Sequence, residues 1–313
     1  MRPTLKSMDR PALINKVLMN RSVINLITKI ERLMDYKIEK ILFKMQHGYN
    51  LNLKNPKSYN EKIIWKKIHD RNPLLSIVAD KYKVRDYLRK VLGKNEAEKI
   101  LIPLLFVTDR PETIPFYKLP EEYIIKANHG SGWNIIVEKN SAIDKKAIIR
   151  KCNYWLGSSY GAFGNEWAYQ EIKRKIIIEK LVRDEKGKLP TDYKFHMIHG
   201  ECIFIQIDFD RHTNHKRSLF DENWNLINAL HAHPIGSHIK KPDNLEEMLA
   251  LSKLLAKPFD CIRVDLYSIN NKIYFGELTN YHGGGTNNFT PISVDFELGK
   301  SWKLEENYWL KKQ

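Results

Sequence analysis

Two short apolar runs joined by a glycine turn constrain the fold of this chain more than any other segment. They are Tyr123-Ile124-Ile125-Lys126-Ala127 and Asn134-Ile135-Ile136-Val137, with Asn128-His129-Gly130-Ser131-Gly132 between them. β-Branched runs of this length bounded by glycine read as paired strands, so a hairpin with a small, pliable tip is expected. At Gly130 and Gly132 backbone N–H groups can approach an anion closely, and Lys126 on the incoming strand adds a point charge. A lid over a triphosphate uses this arrangement, and a plain structural hairpin carries the same signature.

The chain has 313 residues, 42% of them hydrophobic and 28% charged, room for two domains or one large α/β unit. Its net charge of +15 suits an acidic partner: nucleotide, polyanionic glycan, nucleic acid or an anionic membrane face. No nucleic-acid role is expected, because the aromatics lie within apolar runs and are not interleaved with a basic stripe. The sequence has no run of 18 apolar residues, and Arg21, Lys29, Glu31 and Arg32 interrupt any signal-like core, so a cytoplasmic location is expected. Cys152, Cys202 and Cys261 are too scattered to suggest a disulfide framework or a zinc site.

Helical spacing over 12–44 (Val23, Ile27, Ile30, Met34, Ile38, Ile41, continuing to Met45) is interleaved with Lys29, Arg32, Lys37 and Lys40. Such a helix packs its apolar stripe on the body of the protein or lies on an anionic membrane. Ser58 and Glu61 form a capping box ahead of Ile63, Ile64, Trp65 and Ile68. A further helix is expected over 75–91, and a short strand over 100–102 closed by Pro103. Beyond Pro120, strands are expected at 123–126, 134–138, 175–179, 193–198, 202–208, 218–220, 262–268 and 272–278, with helices at 144–156, 165–170 and 245–256 between them.

The last two strands flank Asn270-Asn271, a hairpin turn. Asp265 stands five residues before that turn and Glu277 six after it, so cross-strand pairing can bring two carboxylates together. Like charges at one site call for a cation, and Mg2+ is a natural one. Arg263 shares the face of Asp265 by strand alternation, where a guanidinium can stabilise a phosphoryl or acyl-phosphate group. Equally, these residues can be the wet face of a half-exposed hairpin. The run Ile176-Ile177-Ile178-Glu179-Lys180-Leu181 is a buried strand entering a loop, or a linker between lobes where an adenine inserts. Asp192 and Lys194 alternate to one side of the next strand and can meet ribose and phosphate.

The order of these elements resembles the ATP-grasp superfamily, and more narrowly its TupA-like members, related to teichuronopeptide biosynthesis and polysaccharide genes. The likeness starts with Leu53-Lys54-Asn55-Pro56-Lys57-Ser58-Tyr59-Asn60-Glu61-Lys62-Ile63-Ile64-Trp65-Lys66, passes through Ala79-Asp80-Lys81-Tyr82-Lys83-Val84-Arg85 and the Lys126 hairpin, and ends at Arg263-Val264-Asp265 and Gly276-Glu277-Leu278-Thr279. It implies an α+β, ATP-grasp fold: two lobes clasping ATP, about 101–180 and 181–313 within a domain 79–313, preceded by a basic helical region 1–78. It also implies roles. Arg85 and Lys126 contact phosphates, and His129, Gly130, Ser131 and Gly132 cover them. Glu179, Lys180 and Leu181 border adenine, Asp192 meets ribose, and Lys194 meets phosphate. Asp265 and Glu277 hold Mg2+, while Arg263 and Lys126 act in catalysis. The family's further metal ligand, an asparagine two residues past the second carboxylate, is replaced here by Thr279. Asn280 can serve only if the chain bulges there. The glycines 283–285 are expected against the acceptor or the acyl phosphate.

The activity implied is an ATP-dependent carboxylate–amine ligase, joining an acidic sugar (a uronate) or glycan to a small amine. Peripheral contact with the inner membrane face is a further expectation. Two rival readings are a glycosyltransferase using a nucleotide sugar and a non-catalytic basic protein that binds glycan or membrane.

Overall fold

Helices dominate residues 21–100 and antiparallel sheets dominate the later part of this computed structural model, which describes residues 21–161, 164–209, 214–236, 239–305 and 308–312. Residues 12–20 of the expected N-terminal helix lie outside the described residues. The remainder is two helices, α1 (Arg21–Leu33) and α2 (Lys37–His47), because Asp35 and Tyr36 take left-handed φ values of 50° and 54°. α3 (Tyr59–His69) opens on the expected capping box: Glu61 N–H donates to Ser58 Oγ at 3.1 Å and Ser58 N–H to Glu61 Oε2 at 3.0 Å.

Two expectations fail locally. The helix over 75–91 is split into α4 (Leu74–Ala79) and α5 (Val84–Leu92), because Asp80 Oδ1 accepts from the N–H of Tyr82 and Lys83 at 2.9 and 3.3 Å. A side chain that captures backbone donors in this way competes with helix propagation. The strand expected at 100–102 is instead the end of α6 (Lys94–Ile100) and a single bridge from Leu101 to Phe275. β1 (Leu104–Thr108) begins only after Pro103, which has no N–H to give a ladder.

The smaller sheet has the order β1-β4-β2-β3, with β2 (Tyr123–Ala127), β3 (Asn134–Val137) and β4 (Ile176–Lys180), every pairing antiparallel. Between β3 and β4 come α7 (Lys145–Gly157) and α8 (Trp167–Gln170). Ile125, Ile176 and Ile178 pack with Cys152 and Trp155 of α7 in one cluster, which fixes the root of the β2–β3 hairpin. The larger sheet has the order β11-β10-β5-β6-β7-β8, formed by β5 (Asp192–Ile198), β6 (Glu201–Phe209), β7 (Lys216–Phe220), β8 (Leu226–Ile227), β10 (Cys261–Ile269) and β11 (Lys272–Thr279). β9 (Leu230–His231) pairs with β12 (Phe289–Thr290) as a separate ribbon. α9 (Leu245–Ala256) packs Met248 and Leu255 into the main core with Phe195, Val264 and Leu266, and α10 (Ser293–Lys300) follows β12.

Alternation along the central strand β5 explains the site. Tyr193, Phe195 and Met197 fill the main core, so Lys194 and His196 point to the other face, yet both are buried. A sheet whose polar face is also covered must satisfy its charges internally.

Burial holds the imidazoles of His129, His196, His231 and His282 below the ordinary histidine range, His129 at about 4. The unfolded chain protonates these rings near pH 6.5 while the folded one does not, so stability is lost as pH falls. Glu166, pushed up to about 7 by burial, opposes them with one proton. The unfolding free energy from urea melts is therefore expected to drop by on the order of 3 kcal/mol between pH 7.5 and 5.5. A flat profile across that window would contradict neutral burial of these rings.

Candidate active site

Hairpin register builds the acidic side of the site. Asp265 lies opposite Glu277, and Arg263 opposite Thr279, so all four share one face at the start of β10 and the end of β11. The uneven spacing of the two carboxylates from the turn is absorbed by a bulge between Asp265 and Leu266, where Gly276 is the extra residue. A β-carbon on Gly276 would lie 3.0 Å from the Asp265 carbonyl oxygen, which is why glycine stands there. Asn270 and Asn271 both take positive φ, as the tight turn requires.

Arg263 grips Asp265 with both arms, Nε to Oδ1 at 2.6 Å and Nη2 to Oδ2 at 2.7 Å. Its Nη2 also donates to Glu277 Oε1 at 3.2 Å and Thr279 Oγ1 at 3.0 Å. Lys194 Nζ bonds Asp265 Oδ2 at 2.8 Å and also Asp192. Burial alone would raise the Glu277 carboxyl, but Lys81, Arg263 and Lys194 outweigh it and hold the group well below the usual carboxylate range. Arg263 is half-buried, and Asp265 and Glu277 keep it charged.

The smaller sheet supplies the facing side. Lys126 Nζ donates to Glu179 Oε2 at 2.8 Å, and Arg85 Nη1 from α5 to Glu179 Oε1 at 3.3 Å. Lys81, Arg85, Lys126 and Glu179 line one cleft with Phe275 and Gly276 of β11, so both sheets border it. Lys81 links the two: its Nζ donates to the Gly130 carbonyl at 2.8 Å and sits 3.4 Å from Glu277 Oε2. Sequence reasoning assigned Lys81 no role. Its only signal was its place beside Asp80, whose turn aims it into the cleft.

Arg85, Lys126 and Glu179 thus line the cleft, while Asp192, Lys194, Arg263, Asp265 and Glu277 form one ion-pair network that Lys81 joins to it. Gly130, Ser131 and Gly132 form the hairpin tip, with Ser131 and Gly132 exposed and Gly130 packed under the Trp133 ring. Glu179 was expected beside adenine; its carboxylate is spanned by the two bases expected at phosphates. Lys180 is exposed and Leu181 buried, and the Lys180 N–H donates to the Pro103 carbonyl at 3.0 Å. Two placements differ from expectation. His129 does not reach the cleft: it is buried, neutral, and its Nε2 bonds the Trp155 carbonyl at 3.0 Å, anchoring the hairpin root to α7. Asn280 does not join the carboxylates. Register stays regular through Leu278 and Thr279, so Asn280 turns to the opposite face and donates Nδ2 to the Leu75 carbonyl at 2.8 Å.

Among the described residues no group of three or more His, Cys, Asp or Glu is arranged to hold a metal ion. Two facing carboxylates fit Mg2+ that is shared with phosphate oxygens, since that ion commonly takes one or two carboxylates and completes its shell from substrate and water. The donor set here is all oxygen, which agrees.

Two antiparallel sheets border a cleft lined by Lys81, Arg85 and Lys126, with the Asp265–Glu277 pair tied to it through Lys81, in an α+β protein of the ATP-grasp class. The chain belongs to the TupA-like ATP-grasp family, whose model matches residues 61–303. No curated protein sequence matches it. Similar solved structures include D-alanine–D-alanine ligase from Bacillus anthracis complexed with ATP, at 19% identity and a TM-score of 0.38, covering 66% of this chain and 56% of that one. The Helicobacter pylori D-alanine–D-alanine ligase gives 15% and 0.41, with 79% and 70% covered. The ADP complex of an N5-carboxyaminoimidazole ribonucleotide synthetase gives 13% and 0.41, with 71% and 50% covered. This chain therefore spans little more than half the length of the Bacillus enzyme.

As a structural anchor for α4, Asn280 should be costly to lose: Asn280→Ala is expected to cost about 1–3 kcal/mol in denaturant melts by removing the buried bond to the Leu75 carbonyl. Unchanged stability would remove that role.

Proposed function

We propose that the protein is an ATP-dependent carboxylate–amine ligase that works through an acyl phosphate. One observation carries the reading beyond family membership. The bases Lys81, Arg85 and Lys126 line one cleft, and Lys81 reaches from its hairpin roof to Glu277, the partner of Asp265 across the β10–β11 ladder. A triphosphate needs cations along its length and a metal-holding carboxylate pair at its reacting end.

In this reading a substrate carboxylate oxygen attacks the γ-phosphorus, the bond to the bridging oxygen breaks, and ADP leaves. An amine nitrogen then attacks the acyl carbon, inorganic phosphate departs, and the nitrogen loses a proton to give the amide. Lys126 and Arg85 exchange the Glu179 carboxylate for phosphate oxygens, so Glu179 acts as their partner in the nucleotide-free protein. Arg263 is already oriented by its two-armed grip on Asp265, so it can meet growing negative charge without reorganising. Lys194, buried between Asp192 and Asp265, fixes the carboxylate that faces the metal position. Mg2+ held by Asp265 and Glu277 would supply charge neutralisation on the phosphate oxygens. No protein nucleophile is required, because positioning and charge do the chemistry.

The lobes are taken as 101–180 and 181–313 within a domain 79–313. The carboxylate donor is proposed to be a uronate of a capsular or cell-wall polysaccharide or its precursor, which the net charge of +15 suits, and the acceptor a small amine. The proposed site of action is the cytoplasm.

Purified protein given ATP, Mg2+ and a panel of uronates and amines should release ADP and phosphate only when both co-substrates are present. Lys126→Ala and Lys81→Ala should each lower kcat/KM for ATP roughly 10–100-fold, the worth of a charge-assisted contact. Release of a nucleoside diphosphate from a sugar nucleotide without ATP would instead support the glycosyltransferase. ATP affinity indifferent to Lys126→Ala would support the non-catalytic reading.

A further inference from the structure

The helix α2 attaches to the body by the edge that sequence reasoning would have left wet. In α2 the inward positions are Glu39, Phe43 and His47. Phe43 packs with Leu51, Ile64 and Ile68, and Glu39 accepts from Lys67 at 3.1 Å and Asn165 at 3.0 Å. His47 Nε2 bonds the Gly285 carbonyl at 2.9 Å, and the Gln46 carbonyl accepts from Asn288 at 2.6 Å. The apolar ridge of the same helix, Ile38, Ile41, Leu42 and Met45, is exposed. In α1 the positions Leu26, Ile30 and Leu33 follow the i, i+4, i+7 rule and are exposed too, Leu33 at 86%. The expectation that this stripe packs on the body therefore fails.

A soluble surface rarely leaves so continuous an apolar ridge open without an occupant. Charge identifies the occupant. Lys29, Arg32, Lys37 and Lys44 are exposed beside the ridges. The nearby acids are already engaged: Asp35 with Lys40, Glu39 with Lys67, while Glu31 is buried. We infer that α1 and α2 dock on an anionic lipid surface, with the apolar ridges entering the acyl boundary and the basic side chains meeting headgroup phosphates. No helix among the described residues is long and apolar enough to cross a membrane, so the contact is peripheral. A second copy of the chain would bring the same lysines face to face. A soluble acidic glycan would satisfy the charges but leave the ridges in water.

The contact does not depend on the ligase reading, because neither ATP nor a carboxylate enters it. Through His47 it does reach the glycines 283–285, which begin six residues past Glu277.

Vesicle co-flotation of the full chain tests this directly. Vesicles mixing phosphatidylglycerol into phosphatidylcholine should bind on the order of 100-fold tighter than phosphatidylcholine alone, with added salt weakening the binding. Leu33→Asp with Met45→Asp, both at solvent-facing positions, should reduce binding at least about tenfold without changing the thermal midpoint. Lys29→Glu with Lys37→Glu and Lys44→Glu should abolish the preference for anionic vesicles. Equal binding to neutral and anionic vesicles, or none to either, would overturn the inference. So would a solution dimer dissolved by Leu33→Asp, or binding to a soluble acidic polysaccharide that survives Leu33→Asp with Met45→Asp.

Discussion

The two-armed grip of Arg263 on Asp265 is the interaction on which the rest of this structure depends. It sits on the covered face of the larger sheet, where taking a charge out of water costs several kcal/mol unless it is paired and hydrogen-bonded. Lys194 and Lys81 complete the balance against Asp192 and Glu277. The charges then cancel in place, and the dipoles they create are fixed before any substrate arrives. Preorganisation of that kind is the largest lever in phosphoryl transfer. It also explains why β5 must be central: only there does Lys194 lie directly beside Asp265 in the ladder.

The basic wall is arranged differently. Glu179 draws Arg85 and Lys126 together across α5, β2 and β4, so the bases are paired rather than loose. Ionic contacts with a polyanion can replace that pairing at little net cost, because both arrangements satisfy the same donors. Lys81 couples the two walls, since it is tied to the hairpin backbone on one side and to Glu277 on the other. Phosphate that competes for Lys81 would remove one tie of the hairpin tip and leave its packing on Trp133 and Tyr160.

Much of this was legible from the chain. The Asn270-Asn271 turn made the β10–β11 hairpin legible and brought Asp265 near Glu277, but a regular ladder from that turn pairs Asp265 with Gly276, and only the bulge at Gly276 sets Asp265 against Glu277 and Arg263 against Thr279. The capping box at Ser58 and Glu61 was visible for the same reason: its determinants are local. The misses share a cause in tertiary contacts. The apolar spacing from Leu75 to Val91 suits one helix, but the Asp80 side chain takes backbone donors that a helix needs. His129 looked like part of a phosphate loop, yet its ring is spent on α7. Lys66 stood within a family motif without an assigned role, and it proves to be a buried partner of Asp70 and Asp260 that docks α3 on the larger sheet. The outward apolar face of α2 could not be read from periodicity, which gives a stripe but not the side it faces.

The central claim is that a substrate carboxylate is activated as an acyl phosphate in this cleft. Turnover of a uronate whose carboxylate oxygens are isotopically heavy, with ATP and an amine, tests it most directly. The account predicts that the inorganic phosphate released carries one heavy oxygen, transferred when the amide forms. Phosphate that contains none of the label would contradict it.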